Sequence, residues 1–161
     1  MVRQQKEALH MIYVLTPEYY TQHIQCPREA KQDCLPTVRS LVELAFAARQ
    51  QGMLKMDEMV QDTMRYPDPF LRKAVGLVVE NSNEDNIRMV LYNYILSTKR
   101  VANHQFLNEV IIAETMLALS RKENLEYIFR YLVPSYFGID YEPSVVQVYE
   151  NYKRELLRQQ E

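Results

Sequence analysis

The residues of this chain whose types most readily bind metals are three histidines and two cysteines: His10, His23, His104, Cys26 and Cys34. His23, Cys26 and Cys34 follow one another along the chain, which raises the question of a zinc site. Structural zinc needs four ligands, usually in closely spaced pairs, and this spacing does not supply them. We therefore expect no bound metal. Two cysteines are also too few for a disulfide scaffold, which favours reduced thiols.

Residues for catalysis are equally scarce. Asp57 and Glu58 are adjacent carboxylates, so on a helix their side chains point about 100° apart and make a poor acid–base pair. The sequence contains no phosphate-binding glycine loop, no nucleophile elbow and no Cys–His signature. We therefore expect no catalytic residues, no cofactor and no enzymatic activity.

Composition places the chain among ordinary globular proteins. It has 161 residues, 25% of them charged and 47% hydrophobic, with a formal net charge of −2. Acids and bases are interleaved, so no basic stripe for nucleic acid is present. The apolar run at 8–15 is far shorter than the roughly 20 residues that cross a bilayer, and the run at 109–119 contains Glu109 and Glu114. These observations predict one soluble domain over residues 1–161, with no membrane span and no signal peptide.

Helical periodicity and helix-ending residues organise the first half of the chain. Apolar residues recur every three or four positions after Pro36, which predicts an amphipathic helix that ends at Gly52. Glycine suits that position because it takes positive φ without steric penalty. A second helix is predicted over 54–65. Asp68 then forms an N-cap and Pro69 the first helical position of a third helix.

The second half also reads as helix. Neither Gly nor Pro occurs from Glu84 to Ser120, so this stretch predicts one long helix near residues 84–120, or two helices with a bend near Asn103. A further helix ends at Pro134, and Pro143 opens the last one. No strand signal stands out. The fold class is therefore all-α, a single compact bundle of about six helices. Residues 1–36 form an N-terminal helical extension and residues 137–161 a C-terminal helix.

Twelve tyrosines stand out in a chain without tryptophan. Tyr127 with Tyr131, and Tyr149 with Tyr152, are spaced so that each pair shares one helix face. Tyrosine is enriched in protein interfaces because it combines a large ring with a polar tip. Packing in the core of the bundle accounts for the same spacing, and the sequence leaves both interpretations open.

One long stretch resembles a known family. Three segments resemble the cytoplasmic loop of MotA-type bacterial flagellar stator proteins: "LVELAFAARQQGMLKMDEMV", "YPDPFLRKAVGLVVEN" and "EDNIRMVLYNYI". The family carries the pattern L-x-E-L-A-x-x-x-R-x-x-G-x-x-x-L-E, followed by D-P-F-L-x-x-x-L-x-L-V-V-D-G. The spacing between R-x-x-G and the following acid is kept. The matching positions are Leu41, Glu43, Leu44, Ala45, Arg49, Gly52, Asp57, Asp68, Pro69, Phe70, Leu71, Val78 and Val79.

A second stretch, "VIIAETMLALSRKENLEYIFRYLVPSY" at 110–136, is similar to the cytoplasmic tail of the same family. The matching positions there are Ile111, Ile112, Leu117, Ala118, Glu123, Asn124, Ile128 and Pro134. The two stretches together define a stator-cytoplasmic-like region from 37 to 136.

The departures from the family are also specific. MotA proteins place membrane helices before the loop and between loop and tail, and this chain passes from Arg100 directly into the tail-like segment. The family's Asp-Gly after L-V-V is Glu80-Asn81 here. Its G-E-N-P is the sequence from Lys122 to Leu125. The resemblance therefore does not extend to the family's ion channel.

The resemblance implies a function in the flagellar motor. In that family the Arg and the acid flanking the glycine contact opposite charges on the rotor switch protein, and these roles fall on Arg49 and Asp57, with Glu58 beside them. We expect a non-enzymatic, cytoplasmic protein that docks to the rotor switch complex or another motor component, peripheral to the motor at the inner membrane. The alternative is a general helical interaction or regulatory module that kept the stator-like fold without a motility role. A homo-oligomer is compatible with either.

Overall fold

The computed structural model describes residues 17–81 and 83–161, and the described residues form helices and no strand, which confirms the all-α prediction. The first sixteen residues of the predicted N-terminal extension, with His10, lie outside the described part. In chain order the elements are α1 (Pro17–Ile24), α2 (Arg28–Gln32), α3 (Leu35–Gln51), α4 (Met53–Val60), α5 (Pro69–Glu80), α6 (Glu84–Ser97), α7 (Gln105–Ser120), α8 (Leu125–Tyr127), a π-helical turn (Ile128–Leu132), α9 (Val133–Phe137) and α10 (Glu142–Gln159).

Helix α7 is the centre of the bundle. It packs against α1, α3, α5, α6 and α9, and most of its side chains are buried, from Phe106 to Leu119. A helix that is apolar around its whole circumference must be enclosed on all sides, which explains its central place. No helix among the described residues is long and apolar enough to cross a membrane.

The core includes all seven residues that the helical spacing predicts to pack together. A single cluster of buried side chains runs from Cys34 on the N-terminal side of α3 to Tyr149 on α10. The predicted core positions in this cluster are Val38, Leu41, Ala45, Leu71, Val75, Val78 and Leu91.

The long stretch from 84 to 120 is two helices, which corrects the single-helix prediction and matches the alternative of a bend near Asn103. Thr98 takes extended backbone angles and ends α6. The Arg100 guanidinium donates to the main-chain oxygen of Ile95, and the Gln105 side chain accepts from the main-chain N–H of Val101. These side-chain bonds replace main-chain helix bonds, so the chain reverses without Gly or Pro and α6 packs along α7.

Gly52 ends α3 and precedes α4 directly. Its N–H donates to Ala48 O, and its φ of 94° and ψ of 162° lie in a region that is essentially restricted to glycine. The predicted helix over 54–65 ends earlier, at Val60. The reason is Asp62, whose carboxylate accepts from the main-chain N–H groups of Met64 and Arg65 and so stabilises a turn in place of another helical turn.

Two further helix starts follow their capping residues. Asp68 Oδ1 accepts from Phe70 N at 2.8 Å, with Pro69 in the first turn of α5. Asn83 Oδ1 accepts from Asn86 N at 3.1 Å, at the start of α6. Each cap satisfies a main-chain donor that has no partner within its helix.

The prediction that a helix ends at Pro134 is wrong. The chain stays helical through a π-helical turn and into α9, and it ends before Gly138, whose φ is 92°. Pro134 occupies the first turn of α9, where its missing N–H and its ring cause the least disruption. The π-helical turn immediately before it has a wider hydrogen-bonding pattern than the α-helix.

Candidate functional site

The predicted partner-binding residues lie around the turn at Gly52. We use the name Gly52 surface for Arg49 in the last turn of α3 and Leu54, Asp57 and Glu58 on α4. Arg49 is exposed, and its guanidinium donates to the main-chain oxygen of Glu123. It makes no ion pair with any carboxylate of the described residues. Its positive charge is therefore held in place by the end of α7 and left without a neutralising side chain.

A charge that docks to a partner is expected to be exposed, but Asp57 is half-buried. Helix α4 packs on both α3 and α5, so a position on its flank is partly covered. The main-chain oxygen of Asp57 accepts from the Gln61 side chain at 3.2 Å, and within the described chain the Asp57 carboxylate forms no ion pair. Arg49 and Asp57 are thus not joined in a salt bridge with each other.

Glu58 is more exposed than Asp57 and already has a partner. Its side chain is 72% exposed and pairs with Lys55 at 3.1 Å, three residues earlier on α4. An exposed pair of this kind contributes little to stability and exchanges readily with solvent or with a partner's charges.

Leu54 is the member of this surface that the sequence analysis missed. Its side chain is 74% exposed, on the same helix as Asp57 and Glu58. The signal was available: Leu54 precedes the buried Met56 by two residues, which places it about 200° around the helix from the core. An isolated exposed leucine is common, so its meaning depends on the charges that surround it.

The end of α7 lies beside Arg49 and adds further basic residues. Lys122 has a φ of 59°, the only positive φ at a non-glycine among the described residues. Its N–H donates to Leu119 O, and the Glu123 N–H donates to Ala118 O, which together make the helix-ending arrangement that usually uses glycine. Arg121 pairs with Glu84 and Glu123.

The other strongly bound carboxylates hold helices together. Glu126 accepts from Lys153 and Tyr149 of α10, and the Lys153 hydrogen bond is the main cause that lowers the pKa of Glu126 to about 2. Glu114 on α7 accepts from Arg88 and Tyr92 of α6 at 2.8 and 2.5 Å. In both clusters the acid is bound by groups on a neighbouring helix, an arrangement that joins the two helices.

The histidines and cysteines do not converge. His23 Nδ1 lies 2.7 Å from Tyr19 O, and its ring stacks on the Tyr19 ring. Cys34 is fully buried and its thiol donates to His104 O, while Cys26 is half-buried. Across residues 17–81 and 83–161, no group of three or more His, Cys, Asp or Glu is arranged to hold a metal.

The two tyrosine pairs have different environments. Tyr149 is 2% exposed and stacks on Phe129, and Tyr152 packs half-buried against Phe46. Tyr127 and Tyr131 are 46% and 68% exposed, the first immediately before the π-helical turn and the second within it. The α10 pair therefore belongs to the core, and the other pair faces solvent.

Comparison with known proteins identified no relative of this chain. No protein-family model, curated protein or solved structure matches this chain. The fold defines an all-α helical protein, and the functional conclusion is built on the residues of the Gly52 surface.

Proposed function

We propose that this chain is a non-enzymatic docking module that binds a protein partner through the Gly52 surface. The observation that carries the proposal is Leu54, an apolar side chain that is 74% exposed and shares a face of α4 with Asp57 and Glu58, three and four residues later. Interfaces are typically built in this way, with an apolar contact at the centre and charged groups at the rim. The bundle supports the surface rigidly, because Met56 and Val60 anchor α4 in the core.

The charges of this surface suit reversible binding. Arg49 and Asp57 have no ion-pair partner within the described chain, so binding to opposite charges would not first break an internal pair. Charges at the rim of an interface raise the association rate and set the orientation of the partners more than they raise affinity. A partner with an acid facing Arg49 and a base facing Asp57 fits this arrangement.

For the identity of the partner we propose the flagellar rotor switch protein, on the basis of the resemblance to MotA-type stators. The end of α7 supports that resemblance. Where the family's G-E-N-P has glycine, this chain has Lys122 in a conformation that favours glycine, with a φ of 59°. The backbone conformation at this position is therefore one that the family's glycine would also adopt readily. The chain then acts as a cytoplasmic, motor-peripheral protein.

The test is binding of the purified chain to the rotor switch protein of its host, measured by biolayer interferometry at low and at raised salt. We expect Arg49→Glu to weaken binding by roughly tenfold or more, because a rim contact becomes repulsive. Raised salt should weaken binding of the unmodified chain, since exposed charges are screened over about 8–10 Å at ordinary ionic strength. Arg154→Glu is the matched control, because Arg154 is exposed on α10, outside the Gly52 surface.

Two further variants separate the contributions to binding. Leu54→Ser should weaken binding at every salt concentration, because it removes apolar contact and leaves the charges unchanged. A reversed charge on the partner residue opposite position 49 should restore part of the affinity of Arg49→Glu. If binding is absent, or if Arg49→Glu and Arg154→Glu behave alike, the motor docking role is wrong. Binding that depends on Leu54 but responds to neither salt nor position 49 contradicts the charge-directed mechanism.

A further inference from the structure

A groove of about 460 Å³ lies among α1, α2 and α9, formed by elements separate from the Gly52 surface. The rings of Tyr20, Tyr136 and Phe137 line it, together with Cys26 and Lys31. Its volume falls within the range of small-molecule sites, which are mostly apolar and contain a few polar groups. Three aromatic rings in one groove favour a flat ligand.

Four polar side chains of this groove have no hydrogen-bond or ion-pair partner within the described chain, whereas the Ser135 hydroxyl donates to the main-chain oxygen of Leu132. Neither the hydroxyls of Tyr20 and Tyr136 nor the amide of Gln25 nor the ammonium of Lys31 makes a hydrogen bond or ion pair there. None of these polar atoms is among the fully buried side-chain atoms that lack a hydrogen bond, so they are accessible to solvent. They are therefore available to a molecule that enters the groove.

Lys31 places a positive charge at one end of the groove. Its Nζ lies 3.7 Å from the position that a Cβ on Gly138 would occupy, and 6.0 Å from the centre of the Tyr141 ring. The Arg28 guanidinium lies over the same ring at 5.1 Å. No carboxylate lines the groove. This end therefore attracts an anion.

The two tyrosines of the lining have a different electrostatic environment. Burial, together with the charge of the Glu114 carboxylate, raises the pKa of Tyr20 to about 12, and the same two causes raise the pKa of Tyr136. Both hydroxyls therefore stay protonated at neutral pH. The two protonated hydroxyls suit a neutral group that exchanges hydrogen bonds with tyrosine.

We infer that the groove binds a small aromatic carboxylate, with the carboxylate at Lys31 and a neutral hydroxyl or similar group at Tyr20 and Tyr136. A carboxylate fits better than a phosphate, because one lysine is the only cation in the lining and a phosphate ester usually recruits several donors or an arginine. The inference is independent of docking at the Gly52 surface.

Cys26 supplies a direct probe of the groove. Its thiol is half-buried in the lining, whereas Cys34 is fully buried, bonded to His104 O, and has a pKa that burial raises to about 12. Iodoacetamide should therefore alkylate the folded protein at Cys26. The rate, followed by intact-protein mass spectrometry, then reports occupancy of the groove. Each variant is compared with its own unliganded rate, since burial raises the pKa of the Cys26 thiol and Lys31 opposes that rise.

The probe is 4-hydroxyphenylacetate, with neutral 4-hydroxyphenylacetamide and inorganic phosphate as comparison compounds. We expect saturable protection of Cys26 by the acid, and roughly tenfold higher concentrations of the amide for the same protection, as for loss of one ion pair. Lys31→Met should remove this preference for the acid, while Lys73→Met, a change on the exposed side of α5, should retain it. Tyr136→Phe should weaken binding of the acid and leave the protein folded.

Amide chemical-shift changes on titration provide the second measurement. Changes centred on Lys31 and Gly138 support the inference. The inference is overturned if the acid gives no protection, if acid and amide protect equally, if Lys31→Met retains the preference, or if the shift changes lie elsewhere. Stronger protection by phosphate than by the acid would replace the aromatic carboxylate with a simple anion site and equally overturn it.

Discussion

Replacing Arg100 with methionine tests the contribution of a buried ion pair near the turn between α6 and α7. Arg100 Nε lies 3.6 Å from Glu109 Oε2, and the two side chains are only 17% and 7% exposed. That distance is too long for a hydrogen bond, so both atoms lack one and the interaction is chiefly electrostatic. Arg100 also donates to the Tyr19 hydroxyl at 2.9 Å and to Ile95 O, so it joins α1, α6 and α7.

The expected cost follows from what remains after the substitution. Arg100→Met preserves apolar volume but leaves Glu109 buried without its cation. Breaking a buried pair in this way costs roughly 3–5 kcal/mol, and the partial exposure of Arg100 places the expectation near about 3 kcal/mol. Arg100→Met combined with Glu109→Gln leaves no unpaired charge, so it should recover at least about half of that loss.

The effect should also depend on pH. Burial raises the pKa of Glu109, and Arg100 opposes that rise. Because the folded-state pKa of Glu109 lies above the ordinary value of 4.5, the folded chain binds the proton more tightly than the unfolded chain. Ionisation of Glu109 therefore lowers the stability of the fold as pH rises from 4.5 through the folded-state pKa. Removal of Arg100 raises the folded-state pKa further. The cost of Arg100→Met should therefore be larger at pH 7 than at pH 5.

Urea unfolding followed by circular dichroism at both pH values measures these quantities, with Glu109→Gln alone completing the double-mutant cycle. A cost below about 1 kcal/mol at pH 7 would show that the pair contributes little. Arg100→Met could lower the free energy of unfolding by the same amount whether or not Glu109→Gln is present, at both pH values. That result would assign the loss to the hydrogen bonds with Tyr19 and Ile95 and refute the electrostatic explanation.

Two other substitutions test local features. Lys122→Gly should stabilise the protein by roughly 0.5–1 kcal/mol in urea unfolding, because a φ of 59° suits glycine. Lys122→Ala, the control, should bring no such gain. A loss of stability with glycine would contradict the strain argument. Glu126→Gln should destabilise the protein at pH 7 and much less near pH 2. The lowered pKa of Glu126 means that its contribution is present above about pH 4.5 and is lost as pH falls to about 2, so a pH-independent difference in unfolding free energy would refute this role.

Some features of the Gly52 surface could be predicted from the local sequence, and others could not. Gly52 and Arg49 were assignable from the chain, because a glycine after an apolar periodic stretch marks a helix end and the residue beside small alanines marks the edge of a buried stripe. The half-burial of Asp57 was not assignable. It depends on α4 lying against both α3 and α5, and the pattern within one helix does not specify which neighbours cover its flanks.

The sequence by itself determined the elements that depend on nearby residues. Asp68 and Asn83 cap their helices because an acceptor side chain meets a main-chain N–H two or three residues later. The largely apolar stretch of α7 required a central position. Tertiary structure decided the rest. The turn between α6 and α7 is stabilised by Arg100, which contacts residues from three helices, and the groove at Lys31 combines side chains of α1, α2 and α9. Periodicity reports burial along one helix, whereas these contacts depend on how separate helices pack, which is decided only when the chain folds.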